Sequence, residues 1–208
     1  SFVSCQQRAL RALEKIRAEE NGPVVVLAHA GINRALISWK ENRPLENLLQ
    51  IPQGYGSVYT WEEPVFAGLI VAAGFSSRMG SFKPLMELDG QKVIEREIAT
   101  LRQGGVGEIA VVTGYRAEEL REVAGGRGMT FLHNGRYAET RMFDSVRMGL
   151  RYFAEKKRTP AGEALDGIYF LPVDVPLFSV FTMEWEARAF AAGGGEVYCP
   201  WYEGAPGH

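Results

Sequence analysis

The stretch LIVAAGFSSRMGSFKPL, residues 69–85, carries an apolar run of strand length straight into a loop of small residues bearing Arg78 and Lys83. Ala72, Ala73 and Gly74 have little or no side chain, so phosphate oxygens can approach the backbone, and successive N–H groups from Gly74 through Ser76 and Ser77 can point at them. Arg78 can fork onto two oxygens and Lys83 adds a compact positive charge. The segment suits a triphosphate. The competing explanation is an ordinary strand-to-helix connection that uses Gly and Ser for turn geometry. The spacing is neither G-x-x-x-x-G-K-[ST] nor G-x-G-x-x-G, which removes the usual P-loop and dinucleotide fingerprints.

Strand and helix patterns alternate outward from this loop. FAGLIVAAG is a strand, VIEREIATLRQGG a helix and EIAVVTG a strand, followed by a helix around AEELREVAG, a strand at MTFLHN, a helix from about Met142 to Lys157 and a strand at GIYFLPVD. This alternation predicts an α/β fold with a mostly parallel sheet covered on both faces, its ligands gathered at the carboxyl ends of the strands. Upstream, Leu10, Leu13 and Ile16 recur at helical spacing from Ser4 to Glu20, PVVVLAHAG reads as a buried strand, INRALISWKEN as a helix and Val58–Trp61 as a strand. A domain boundary is expected near Pro64, giving domains over 1–63 and 66–208.

Polar residues fall at the predicted strand ends. Asp174, in IYFLPVDVPL, is either a hard oxygen ligand for Mg²⁺ or a loop aspartate making an Asx-type turn. Gly114 ends one strand where a base or ribose can rest against backbone. Asn134 ends another, to bond a nucleotide or to cap a turn. Residues 141–158 hold six basic side chains and two acidic ones, which fits either attraction of an anionic substrate or a solvated helix face.

Across 208 residues the formal charge is −2, without the basic excess of a general nucleic-acid binder, so the expected partner is a small molecule and no nucleic acid. Cys5 and Cys199 have no metal-type spacing and are expected as free thiols. No apolar run nears the roughly 20 residues needed to span a bilayer, and no signal-like segment opens the chain, so the expectation is a cytoplasmic protein without a membrane. A start at Ser1 and a stop at His208 after GAPG lead us to expect a fragment. Oligomeric state is not legible.

Taken together, AAG, S-R-M-G and K-P-L in AAGFSSRMGSFKPL resemble the signature loop of the molybdenum cofactor nucleotidyltransferases (MobA-like NTP transferases) and, more loosely, that of sugar-phosphate nucleotidyltransferases. PVDVPL resembles the D-x-P-L metal motif of the same families, RMFDSVRMGL their G-M-x-x-S-x-x-x-G segment with Arg141 in place of glycine, and APGH the start of the G-H-P segment of the cytidylyltransferase branch. The resemblance implies a Rossmann-like nucleotidyltransferase sandwich, C-terminally truncated at His208. It assigns Gly74, Arg78 and Lys83 to the phosphates of CTP, or less readily GTP, Asp174 to Mg²⁺, and His208 to the neighbourhood of the second substrate. Ala72, Ala73, Ser76, Gly114, Asn134 and Ser145 complete the expected nucleotide contacts.

VVVLAHAGINRAL, residues 24–36, resembles the second-histidine motif of the histidine phosphatase (phosphoglycerate mutase-like) family, with GYGSVYTWE as its closing strand. Residues 1–63 are thus expected to be a C-terminal, partly α/β fragment of such a domain, in which His29 is either a phosphatase remnant or a structural histidine. That family's nucleophile lies in an R-H-G motif that this sequence does not contain. The implied reaction is Mg²⁺-dependent transfer of a nucleotidyl group to a phosphorylated acceptor such as molybdopterin. Sugar- or alcohol-phosphate acceptors, and a non-catalytic nucleotide-binding module fused to a phosphatase, are the alternatives.

Overall fold

The structure, a computed structural model, describes residues 1–19, 24–75, 81–126, 128–159, 162, 164–193, 195–202 and 205–206. The chain divides into two compact units, one built mainly on Ser1–Glu62 and the other mainly on Glu63–Ala191 with Gly195–His208.

In the first unit, α1 (Phe2–Glu19) and α2 (Ala30–Lys40) pack on each other and on a 3₁₀ turn, Leu45–Gln50. Their shared core is Leu13, Ala35, Leu36, Ile37, Leu48 and Ile51, all buried. Gln6 Nε2 donates to the Ala35 carbonyl at 2.9 Å, tying the helices together. Neither strand expected in this segment forms. Residues 24–29 are extended but unpaired, with Val25 90% and Leu27 99% exposed, and residues 58–61 are likewise outside any strand. An apolar run reports a preference for burial, but a strand also needs neighbours for its N–H and C=O groups, and among the described residues Ser1–Glu62 contain none.

The second unit opens with β1 (Phe66–Ala72). A short antiparallel pair follows, β2 (Glu87–Leu88) and β3 (Gln91–Lys92), then α3 (Val93–Gln103), β4 (Ile109–Thr113), α4 (Ala117–Ala124), β5 (Met129–His133), α5 (Met142–Lys156), β6 (Gly167–Pro172), α6 (Val180–Ala192) and the pair β7 (Trp201–Tyr202) and β8 (Ala205–Pro206). The main sheet has the order β5-β4-β1-β6 and is parallel throughout. Residue alternation separates two cores. Ile70, Ala72, Ile109 and Val111 face a cluster with Ile94, Leu101 and Leu120 of α3 and α4, joined by Met183 of α6. Leu69, Val71, Ala110 and Val112 face Val146 and Phe153 of α5. This is the predicted Rossmann-like layering, and α6 is an addition that the sequence reading did not include.

The topology decides where a ligand can enter. From β1 the chain moves outward through β4 to β5, then crosses by α5 to β6 on the other side of β1. β1 and β6 are thus neighbours although most of the unit separates them in the chain, and their carboxyl ends come side by side.

Close packing holds α5 against β1. A Cβ built on Gly149 would lie 2.2 Å from Cδ1 of Leu69, a fully buried residue of β1. Gly149→Val is therefore expected to overpack this contact, costing about 1–3 kcal/mol. In thermal unfolding this should appear as a fall of several degrees; an unchanged midpoint would mean that α5 is free to ride outward.

Candidate active site

Four segments meet at a crevice beside the carboxyl ends of β1 and β6. A cavity of about 220 Å³ is lined by Ala73 and Gly74 after β1, Lys83, Tyr137, Thr140 with Arg141 and Ser145 at the start of α5, and Val173 with Asp174 after β6. Hydrogen bonding continues past the strand ends: Val173 N–H donates to Val71 O at 3.2 Å, and Val175 N–H to Pro172 O at 3.1 Å, closing a turn that contains Asp174. Asp174 Oδ2 accepts from Lys83 Nζ at 3.1 Å. Its side chain reaches across the crevice to Lys83. Lys83 begins a 3₁₀ turn immediately after Phe82, a buried ring that anchors the end of the loop in the core.

The expected nucleotide residues separate into three groups. Ala73, Gly74, Lys83, Ser145 and Asp174 are brought together. Ser76 and Arg78, with the rest of 76–80, lie outside the described residues, as does His208. Ala72, Gly114 and Asn134 do not line the cavity. Ala72 is a paired residue of β1 whose methyl packs into the core. Gly114 is buried: a Cβ there would stand 2.6 Å from Cβ of Tyr137, so this ring covers the backbone expected to receive a base. Asn134 has its amide committed within the protein, donating to Thr140 Oγ1 at 2.9 Å and Ser145 Oγ at 3.1 Å and accepting from Arg136 N at 3.0 Å. Its Oδ1 caps the turn at Arg136, and its amide holds Ser145 in place. Arg141 needs no glycine-like conformation, since its φ of −92° and ψ of 164° are ordinary extended values. His29, in the first unit, is exposed at the N-cap of α2.

Two features were missed in the sequence. Phe75, Tyr115 and Tyr137 come from the ends of three different strands and form one aromatic cluster, with Phe75 5.3 Å from Tyr115 and 5.0 Å from Tyr137 between ring centroids. Phe75 and Tyr115 remain 45% and 38% exposed. Glu97 is the second. It is fully buried on α3, and neither carboxylate oxygen has a hydrogen-bond partner among the described residues. The sequence held a signal for it, because Glu97 interrupts the apolar stripe of Ile94, Ile98 and Leu101.

Asp174 offers one half-exposed carboxylate, and among the described residues no group of three or more His, Cys, Asp or Glu is placed to hold a metal ion. A single carboxylate fits an ion that draws its remaining ligands from phosphates and water, as Mg²⁺ does.

Residues 68–208 match the family model of the MobA-like NTP transferase domain. The chain belongs to that family. Residues 1–63 match the histidine phosphatase superfamily (branch 1). The chain is 44% identical over 64 residues to the bifunctional IPC transferase and DIPP synthase of Rubrobacter xylanophilus, an overlap of 29% of this chain and 15% of that protein. It is 31% identical over 118 residues to the bifunctional protein GlmU of Francisella tularensis subsp. novicida, covering 56% of this chain and 23% of the relative. Among solved structures, a nucleotidyl transferase from Methanothermobacter thermautotroptrophicus superposes with a TM-score of 0.50 at 28% identity, over 60% of this chain and 57% of that one. The chain thus spans less than a quarter of the length of either of these two sequence relatives. Among the described residues, no helix is long and apolar enough to cross a membrane, and neither Cys5 nor Cys199 is in a disulfide.

Burial, assisted by the negative charge of Asp174, pushes the Glu97 carboxyl up to about 8. The folded state therefore holds a proton that the unfolded chain releases near the ordinary carboxylate range, and stability falls as pH rises from there through 8. Glu97→Gln, neutral throughout, is expected to match the wild type near pH 4 and to exceed its melting temperature increasingly up to pH 9. Parallel pH profiles would show that Glu97 is ionised in the folded protein at neutral pH.

Proposed function

We propose that residues 66–208 form a Mg²⁺-dependent nucleotidyltransferase domain and that residues 1–63 are a separate phosphatase-like domain. The observation that carries the nucleotidyl reading is the meeting of Gly74, Lys83, Ser145 and Asp174 at the crevice between β1 and β6, in a chain whose family is defined by NTP transfer. In this reading the backbone after Ala73, together with Lys83 and Arg78, holds the triphosphate, and the N-terminus of α5 at Ser145 faces the phosphates. Asp174, with the nucleotide's own oxygens, would hold Mg²⁺, and the ion would supply charge neutralisation at the reacting phosphate. An oxygen of a phosphorylated acceptor attacks the α-phosphorus; the new P–O bond forms as the bond to the β-phosphate bridge breaks, and pyrophosphate leaves with the electron pair. Positioning and charge stabilisation are then sufficient, and no covalent nucleophile is required.

CTP is the favoured donor and a phosphorylated small molecule the acceptor. The sequence motif favours a molybdopterin-type acceptor. A sugar or alcohol phosphate is the second reading, because the loop also resembles, more loosely, that of sugar-phosphate nucleotidyltransferases. We place the base on the Phe75–Tyr115–Tyr137 cluster, because aromatic faces stack any base and two of these rings are open.

Asp174→Ala is expected to lower turnover by roughly a hundredfold or more and to remove the magnesium-dependent part of the thermal stabilisation by CTP. Full magnesium-dependent turnover in that variant would sink the proposed metal role. Phe75→Ala should weaken CTP binding about 5- to 30-fold, as expected from the loss of about 1–2 kcal/mol of stacking, and leave the affinity for inorganic tripolyphosphate unchanged. Equal losses for both ligands would place the effect in the phosphate loop instead of the base.

A further inference from the structure

A second and larger cavity, of about 500 Å³, lies along the outer flank of α5 beside β5, the edge strand of the sheet. Leu132, Met148 and Tyr152 give it apolar walls, while Arg136, Arg147 and Arg151 bring positive charge to it. Arg147 and Arg151 stand one helical turn apart on α5, a spacing at which like charges repel. Among the described residues neither takes part in an ion pair or side-chain hydrogen bond, although Asp144 and Glu155 also line the cavity. Asp144 is engaged at the helix start, where its Oδ2 accepts from Arg141 N at 3.0 Å. Arg136 is paired with Glu139 at 3.2 Å. A solvated helix face explains basic residues that project from a convex surface. It does not explain two unpaired arginines set in a concavity with apolar walls and a volume typical of small-molecule sites.

We propose that this cavity is a second ligand site, for a phosphomonoester carried on an apolar or ring-shaped body. Arg147 and Arg151 take the phosphate oxygens, and Leu132, Met148 and Tyr152 cover the body. The site is separated from the crevice by one polar wall. Thr140 lines both cavities, and the Asn134 amide that bonds it also bonds Ser145 of the crevice. The inference needs no assignment of the β1–β6 crevice, although the shared wall gives a ligand here a direct route to it.

The probe is phenyl phosphate, titrated into the full chain in thermal-shift and calorimetric measurements, with inorganic phosphate and phenol as partial ligands. Phenyl phosphate is expected to stabilise the wild type more than either fragment does. The effect should fall at least tenfold in apparent affinity in the double variant Arg147→Ala/Arg151→Ala, whose substitutions are on exposed side chains, and persist in Asp174→Ala. Magnesium-dependent stabilisation by CTP should persist in the double variant, so that failure of the crevice reading and failure of this one give different results. The proposal is overturned if phenyl phosphate does not stabilise the wild type, if the double variant binds it as well as the wild type does, or if Asp174→Ala abolishes its binding.

Discussion

Strand β1 is hydrogen-bonded along both edges, to β4 and β6, and its side chains enter the cores on both faces of the sheet. A strand held in this way has no freedom to slide or twist independently. Its carboxyl end is therefore a fixed point from which Gly74 and Phe75 emerge, and the register Val71↔Pro172 places the turn around Asp174 directly beside it. Every other candidate group is positioned relative to that end: Lys83 through the buried Phe82, Ser145 through the contact of Gly149 with Leu69. The loop needs small residues for phosphate access, and the strand before it needs bulky ones for burial. The abrupt change from Leu-Ile-Val to Ala-Ala-Gly meets both demands.

That abrupt change is also why this part of the molecule was legible in the sequence. Continuous apolar runs separated by helical periods specify a parallel sheet, and Asp174 at the end of one run and Lys83 in the loop after another were readable as candidates from the sequence alone. What was not legible depends on distances between chain segments. Phe75, Tyr115 and Tyr137 are spread over more than sixty residues and become one surface only because β1, β4 and β5 are neighbours. Tyr137 over Gly114 is a tertiary contact with no local signature. Asn134 could be read either as a ligand or as a cap, and its bonds to Thr140 and Ser145 have no signature in the sequence.

The two stretches that read as strands in the first 63 residues show the opposite case. Val24 to Leu27 have the composition of a buried strand, and the same reasoning succeeded for residues 66–72. The difference lies in the partners: β1 has β4 and β6, while the residues of Ser1–Glu62 supply helices and a 3₁₀ turn. Hydrophobic pattern thus identifies what a segment would bury, and pairing decides whether it does.

The buried carboxyl of Glu97 has a counterpart at the other end of the sheet. Glu108, also buried, receives Lys156 Nζ at 2.6 Å and the Tyr152 hydroxyl at 2.9 Å, so its charge is matched and it fastens the last turn of α5 to the start of β4. Glu97 has no such match. The extended segment around Val25 and Leu27 carries a different consequence, one of colloidal behaviour. A run of β-branched and leucine residues with an unpaired backbone is a template to which another chain can add as a strand. Any segment that supplies a partner strand would satisfy these N–H and C=O groups and cover Val25 and Leu27.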